Sequence, residues 1–453
     1  MYLPADLWLL LPPHLIPADI RALAGVCVTL RVMFRPLMEF KVTITRNDSP
    51  KYALRKALVV TRTSTILDSV VEVNIGWGLY YFNNPLWSCK FPCLLSPALY
   101  TLVNAIPAMQ HLHTIQLNSI LLSRIYLYTI LSSPHLIHLI LHNVPLPKMS
   151  TFPPPTLRKL TLRMMEYPWE SVQPLISQLA MSLEYLDVYW CIFRPPSQIQ
   201  LPSFPCLQEL RHHQYYHQST FSDRNQLNEL LRLAPQVTHL RVTGNSNEPV
   251  SACRKSLQHL STSFWVLSDD IFGTEPFLRL MHLSLELTRP TDVVNHPLTP
   301  SSFIRNHFPA ITSLHLTIPW TFRNCAMAMA QSLQNVQALK LVVEMHYKES
   351  GEMGYRFPVE VLDDQLHQPK LPAALQALTL EAVQHCGELE RGATLCIQWV
   401  LDHVIPPVTG LGGTGLKSIS VVVSQPQSRP VERERVLLRR WVRAPNDDWQ
   451  VLE

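Results

Sequence analysis

The sequence predicts an α/β solenoid, an array of short parallel strands joined by helices, preceded by a short all-helical module. A brief apolar phrase recurs along most of the chain, and prolines that end helices precede several copies at one fixed offset. The composition agrees, because the 453 residues are 47% apolar and only 16% charged. Such a chain is expected to be folded around a well-buried core rather than disordered.

The N-terminal segment carries apolar residues at helical spacing, first at positions 7, 10 and 11 and then at 20, 23, 26, 27 and 30. Pro4 suits the first turn of a helix, because its missing N–H costs nothing there. Short helices with one apolar stripe each cannot bury that stripe alone, so we expect them to meet a partner or the next domain. Residues 1–44 are therefore predicted to form a small helical module.

This segment resembles an F-box, the module that joins a substrate receptor to a ubiquitin ligase. Leu3-Pro4-x-Asp6-Leu7-Trp8, then Asp19-Ile20 and Val26-Cys27, follow the family pattern without a gap. The sequence departs from it at Pro12-Pro13, which end the first helix early, and at Leu30, where the family usually has Trp. The resemblance implies that the module binds the adaptor of an SCF-type ligase and, through it, the cullin complex. The residues implied in adaptor binding are Leu3, Pro4, Leu7, Leu11, Leu15 and Ile20.

The recurring phrase is an apolar residue, followed three positions later by Leu or Ile and two positions after that by another apolar residue. A strand with alternate residues pointing inward explains this spacing. Clear copies begin at Leu136, Leu157, Leu183, Val237, Leu280, Ile311, Val336 and Leu375, with looser ones at Val70, Leu112, Leu207, Leu257 and Leu416. Proline stands two residues before five copies, at positions 134, 155, 205, 235 and 309. We therefore predict that each strand, together with the helix end that precedes it, forms one repeated unit.

The clearest unit spans residues 222–242. A helix is predicted through Leu227, Leu230, Leu231 and Leu233, Pro235 ends it, and a strand follows. Repeats of 20 to 31 residues with this phrase resemble the irregular leucine-rich repeats of fungal F-box proteins. A doubly wound α/β fold is the alternative, but its strands would be longer and more continuously apolar.

The resemblance implies a leucine-rich-repeat horseshoe over residues 66–423, joined to the F-box-like module by a linker at 45–65. Polar inserts at 346–354 and 387–392 are expected to be loops at one rim. Residues 424–453 are expected to be a C-terminal cap or tail, in which Val436, Leu437 and Trp441 suggest an amphipathic helix. The six arginines of residues 429–443 leave an anionic partner as a second interpretation.

Strand positions between the inward apolar residues face the concave side of a leucine-rich-repeat horseshoe. Their side chains are the expected contacts with a protein target, and their mixture of types predicts a polar target surface. The candidates are Gln116, His138, Lys159, Thr161, Asp187, Arg211, His239, Arg241, His282, His315 and Lys340.

No chemistry-bearing motif survives inspection, so we expect neither an enzyme nor a cofactor. Gly410-x-Gly412-x-x-Gly415 matches a dinucleotide fingerprint only formally, because prolines precede it and a strand-like segment follows. Residues 212, 213 and 217 are histidines and residues 89 and 93 are cysteines, but no second pair completes a zinc site. A net charge of +4 does not predict nucleic-acid binding.

The expected compartment is the cytoplasm or the nucleus. The nine cysteines form no disulfide framework, and the N-terminal segment lacks the basic flank of a signal peptide and is too interrupted to span a membrane. The sequence thus predicts a non-catalytic substrate receptor of a ubiquitin ligase. The alternative is a ligase-independent interaction scaffold whose F-box-like segment is a vestigial cap over the first repeat.

Overall fold

The computed structural model describes residues 22–23, 26, 30, 40–45, 48–76, 96–149, 153, 156–194, 202–213, 226–243, 250–263, 269–286, 300–319, 333–345, 372–384, 416–426, 433–443 and 449–452. The chain divides into two compact units, one of residues 1–211 with 220–226 and one of residues 212–219 with 227–453. Each unit is a solenoid-like α/β repeat built on parallel strands.

The first unit is a sheet whose strands follow one another in chain order, with parallel pairing from the first to the sixth. Its strands are β1 (Phe40–Thr45), β2 (Val70–Gly76), β3 (Thr114–Asn118), β4 (His138–His142), β5 (Lys159–Pro168), β6 (Tyr185–Arg194) and β7 (Glu209–His213), which spans the division between units. Its helices are α1 (Pro50–Arg62), α2 (Ser64–Leu67), α3 (Ser96–Ala105), α4 (Arg124–Leu131) and α5 (Trp169–Leu179), with a 3-10 turn at Ile106–Ala108.

The second unit continues the same plan and ends differently. Its strands are β8 (His239–Thr243), β9 (His259–Ser263), β10 (His282–Glu286), β11 (Ser313–Pro319), β12 (Ala338–Met345), β13 (Ala377–Gln384), β14 (Ser418–Pro426), β15 (Arg433–Arg443) and β16 (Trp449–Leu452). Its helical elements are α6 (Gln226–Leu233), α7 (Asp269–Phe272), α8 (Pro300–His307) and a 3-10 turn at Ser251–Cys253. Pairing is parallel from β8 to β14, whereas β15 and β16 add antiparallel strands.

The predicted phrase is confirmed as the unit of the core. In every copy from Val70 to Leu416 all three phrase positions are buried, and the second and third lie on a strand. In β4, for example, Leu139 and Leu141 are fully buried, while His138 and Ile140, which alternate with them, are partly exposed. The predicted helix before Pro235 is also present as α6, with Leu227, Leu230 and Leu231 buried.

In several repeats, the hydroxyl side chain directly before the phrase donates a hydrogen bond to the backbone of the preceding repeat. The sequence did not predict this feature. Thr156 donates to the Leu136 carbonyl at 3.0 Å, and Ser182 donates to the Leu157 carbonyl at 3.1 Å. Ser256 does the same to the Val237 carbonyl at 2.8 Å. These bonds occupy carbonyl groups at the turn before each strand, which would otherwise lack a partner in the ladder.

The stretch expected to be a linker, residues 45–65, contains the whole of α1. Ser49 caps this helix by accepting from the Tyr52 N–H at 3.3 Å, and its apolar face is Ala53, Ala57 and Val60. Because two of the three residues on that face are alanines, the stretch has few large apolar residues and was predicted to be a polar linker. The sheet also begins before this stretch, since β1 pairs with β2 and lies within residues 40–45.

The C-terminal stretch also differs from expectation. Residues 433–443, where the sequence suggests an amphipathic helix, form β15 and pair antiparallel with β14. An apolar spacing that suits a helix is overridden here because the edge of β14 offers free hydrogen-bonding groups. In the N-terminal segment, residues 22, 23, 26 and 30 are helical and Leu30 is buried.

Candidate functional site

The strand side chains that alternate with the buried ones form what we call the open face of each unit. Strand register aligns them in rows: a first row, which includes His138 of β4 and Lys159 of β5, and a second row, which includes Thr161 of β5 and Asp187 of β6. All eleven residues predicted to contact a target occupy these rows. In the first row are His138, Lys159, His239 and His282, and in the second are Gln116, Thr161, Asp187, Arg211, Arg241, His315 and Lys340.

Burial separates these candidates into two kinds. Thr161 and Asp187 are each 1% exposed, so they support neighbouring side chains and do not themselves present a contact surface. His239 and Arg241 are exposed, and the remaining candidates are intermediate or exposed. The candidates on the open face therefore form two layers, a buried supporting layer and an accessible one.

In the first unit the open face of β4 to β7 is a charged cluster of His138, Thr161, Arg163, Tyr185, Asp187, Glu209 and Arg211. Its centre is Asp187, whose Oδ2 accepts from Nη2 of Arg163 at 3.0 Å. Arg211 lies 5.2 Å from the Tyr185 ring centroid and donates from Nε to Glu209 at 2.7 Å. Each cation thus has an anionic partner inside the cluster, and the arginine over the ring adds a cation–π contact.

His138 completes the charged cluster on the β4 side. Its Nε2 lies 3.1 Å from the Thr161 hydroxyl, and its ring meets the Tyr185 ring edge-on at 5.8 Å. Burial, with a smaller contribution from Lys159, lowers the pKa of His138 to about 4. Burial, assisted by Asp187, raises the pKa of Tyr185 to about 12. At neutral pH both rings are therefore uncharged, and the cluster's charges reside on its arginines and carboxylates.

In the second unit the open face carries an imidazole stack, which consists of His239, His259 and His282 on three adjacent strands. The His239 and His259 centroids are 4.0 Å apart with the rings 9° from parallel, and those of His259 and His282 are 4.1 Å apart at 1°. The Thr238 hydroxyl lies 2.9 Å from Nδ1 of His239. Equivalent first-row positions on neighbouring parallel strands hold the rings in this register.

The strands beyond the stack carry further polar pairs. Ser284 lies 3.4 Å from Nδ1 of His315 on the next strand. Lys340 forms a 2.6 Å ion pair with Glu381, whose side chain is only 2% exposed. Lys340 thus already has a carboxylate partner, whereas the exposed Arg241 beside the stack offers its guanidinium to solvent.

Several members of these groups were missed by sequence reasoning. Arg163, Tyr185 and Glu209 join the charged cluster only because strand register places them beside the predicted residues. His259 had a readable signal, since a histidine directly precedes the middle leucine of the phrase at 239, 259 and 282. It was overlooked because its own copy of the phrase ends in threonine.

Of the residues considered for a metal, His212 and His213 lie in the part of the chain that the structure describes. His212 is buried and its pKa is lowered to about 4 by that burial, while His213 lies 2.6 Å from the Thr243 hydroxyl. No group of three His, Cys, Asp or Glu side chains among the described residues is placed to hold a metal ion. Within the same residues, no helix combines the length and the apolar character that crossing a membrane requires.

The residues predicted to bind the ligase adaptor, Leu3, Pro4, Leu7, Leu11, Leu15 and Ile20, lie outside the described residues. The same is true of the polar inserts at 346–354 and 387–392, the glycines of residues 410–415, His217 and the two cysteines at 89 and 93. No protein-family model matches the sequence, and no curated protein matches it. The resemblances to F-boxes and to leucine-rich repeats therefore stay predictions.

Proposed function

We propose that this chain is a non-catalytic substrate receptor of an SCF-type ubiquitin ligase, which holds a protein target on its open face. In this proposal the parallel array is of the leucine-rich-repeat class, and the N-terminal segment is an F-box-like module that binds the ligase adaptor. The chain contributes proximity between target and conjugating enzyme rather than bond-making groups. It acts in the cytoplasm or the nucleus.

The observation that carries the recognition half of the proposal is the alternation along the strands. One set of side chains is buried in the core, and the other forms rows of His, Arg, Lys, Thr and Ser on the opposite face. Neighbouring strands repeat at about 4.8 Å, so these rows present a regular polar surface wide enough for a protein segment. The buried contacts of Asp187 and Glu381 hold members of the rows in fixed positions.

The observation that supports the ligase half is the N-terminal sequence pattern. Leu3-Pro4, Asp6-Leu7-Trp8, Asp19-Ile20 and Val26-Cys27 occur in F-box order. Apolar residues of short helices need a partner, and an adaptor subunit supplies one. The fit of this segment to an adaptor rests on the sequence resemblance.

The decisive experiment is capture of the purified SCF adaptor by the tagged full-length chain. The test variant replaces Leu7 and Leu15 with Asp, which places two charges on the surface proposed to meet the adaptor. Capture is expected to fall by about tenfold or more, since apolar anchors dominate such interfaces. The matched control replaces Leu121 and Leu278 with Asp, because both are exposed, at 61% and 69%, and lie outside the module.

Capture by the wild type and the control, lost in the L7D/L15D variant, supports the receptor. A folded wild type that captures no adaptor overturns the ligase half. The chain would then be a ligase-independent interaction scaffold with a vestigial F-box-like segment. Circular dichroism of each variant reports whether the repeat array has remained folded.

A further inference from the structure

We infer that the imidazole stack and the residues around it form a docking surface for an extended peptide segment rich in Asp and Glu. The surface consists of His239, Arg241, His259 and His282, and it is bordered by His315, whose Nε2 is buried and whose Nδ1 lies beside Ser284. This inference names the chemistry of the target and therefore rests on the proposed recognition function. It concerns the second unit alone, where all five residues lie.

The charges around the stack are one-sided. On β8 to β11 the first two rows of the open face contain no carboxylate: they read His239, Arg241, His259, Ser261, His282, Ser284, Ser313 and His315. The exposed cations Lys255 and Arg279 stand in the turns that enter β9 and β10. Among the described residues, the acids in these strands and in the turns that enter them are Glu286, in the third row, and Glu275, which pairs with Arg254; α7 carries Asp269 and Asp270. An anionic partner complements this surface.

One ring of the stack is held neutral. Burial, with the nearby His239 as the smaller cause, lowers the pKa of His282, so this ring is uncharged at neutral pH. In the described part of the second unit, the titratable and charged groups on neighbouring strand positions are Arg241 on β8, His315 on β11 and Glu286 at the far end of β10, with His213 beside Thr243 at the end of β8. A carboxylate at the stack favours the protonated imidazole, so binding takes up protons.

The distribution of donors favours carboxylates over phosphate. Phosphate recognition usually converges several Arg or Lys groups on one dianion. Here one guanidinium stands beside three imidazole rings on successive strands, with neighbouring ring centroids 4.0 and 4.1 Å apart. The two outer rings, His239 and His282, are separated by about two such spacings. Same-face side chains of an extended peptide recur about every 7 Å, so two of its carboxylates can reach the two outer rings.

The test is a fluorescence anisotropy titration of the full-length chain with a fluorescein-labelled peptide of alternating glutamate and serine. The comparison peptides carry glutamine for glutamate, or phosphoserine in glutamine-containing sequence. The glutamate peptide is expected to bind in preference to both. Its affinity should rise roughly tenfold from about pH 7.5 to about pH 6, where imidazoles charge and glutamates remain ionised.

The test variant is His239→Asn, His259→Asn and His282→Asn together, and the matched control is His135→Asn, an exposed turn histidine in the other unit. The triple variant should lose the pH dependence and bind about tenfold more weakly at the lower pH, which is about 1.4 kcal/mol. The single His259→Asn variant should lose part of both effects, which keeps the test valid if the triple variant misfolds. The control should bind as the wild type does.

Equal binding of the glutamate and glutamine peptides would overturn the inference. So would undiminished pH dependence in the triple variant, or binding of the phosphoserine peptide alone. Adaptor capture is measured on the same preparations, so the two proposals fail separately. Adaptor capture without peptide binding would overturn the acidic-target inference but support the proposed ligase receptor. Peptide binding without adaptor capture would overturn the ligase half of the proposed function but support the acidic-target inference.

Discussion

The charged cluster of the first unit and the imidazole stack of the second occupy equivalent strand positions on the same kind of scaffold. In the cluster, Asp187 is almost fully buried and its partner Arg163 is fixed by a 3.0 Å bond. In the stack, parallel rings rest on one another and His239 is open to solvent. The scaffold thus supplies position, while burial and pairing determine whether a row serves stability or stays available to a ligand.

The strongest test of this difference is to remove the charge at the centre of the cluster. Asp187→Asn keeps the side-chain shape but leaves Arg163 beside a neutral amide. Breaking a fully buried ion pair costs about 3–5 kcal/mol, and because Arg163 is 39% exposed we expect about 1–2 kcal/mol. A lower midpoint of urea unfolding measures the loss.

Glu184→Gln is the matched control for that substitution. Glu184 pairs with Arg158 at 3.1 Å in the same unit, but these side chains are 39% and 61% exposed. An exposed pair contributes at most a few tenths of a kcal/mol, so its midpoint should hardly move. Equal shifts for the two variants would show that the cluster is no more structural than a surface ion pair.

A second test uses acid, because the buried histidine His142 in the first unit cannot charge where an exposed one can. Burial, with Arg163 as the smaller cause, lowers the pKa of His142 to about 4 from its ordinary 6.5. Between these values the unfolded chain binds a proton that the folded chain does not. His142 therefore favours the folded state fully above about pH 6.5, and this contribution is lost as the pH falls towards 4.

His142→Gln removes that titration. Between about pH 6.5 and pH 4, the free energy of unfolding should depend less steeply on pH, by at most about 1.4 kcal/mol per pH unit for one proton. The quantity compared is the slope, since the substitution changes stability at every pH as well. A slope as steep as that of the wild type and of His135→Gln, at an exposed turn, would contradict the neutral buried state.

The sequence predicted β2 to β14, because the phrase encodes burial locally, whereas β1, β15 and β16 carry no copy of the phrase and were not predicted. Even Leu257-x-x-Leu260-x-Thr262, with a polar third position, has all three residues buried on or before β9. Where burial depends on small residues or on a neighbour, the prediction failed. The helix α1 was not predicted in the expected linker, because Ala53 and Ala57 on its buried face are small. The C-terminal segment was expected to be a helix but forms β15, because it pairs with the edge of β14.

The sequence predicted which residues lie on the open face, but it did not predict which of their side chains contact one another. The sequence placed His138 and Asp187 on the open face, because both alternate with phrase residues. It could not pair Asp187 with Arg163, because their contact depends on the register between β5 and β6. These two strands are connected through the helix α5, so the sequence does not fix their register. Nor could it separate buried Thr161 from exposed His239, because neighbouring side chains decide that exposure.

The smallest expected effect on stability is at the centre of the imidazole stack. His259→Asn removes two ring contacts on a face that is partly open to water, so the free energy of unfolding should change by less than about 0.5 kcal/mol. Urea unfolding at neutral pH measures this, beside Asp187→Asn as the contrasting variant. A loss as large as that of Asp187→Asn would mean that the stack, like the charged cluster, is part of the support of the fold. Near-neutral stability together with weakened binding of the glutamate peptide would establish instead that the second unit keeps this row for a partner.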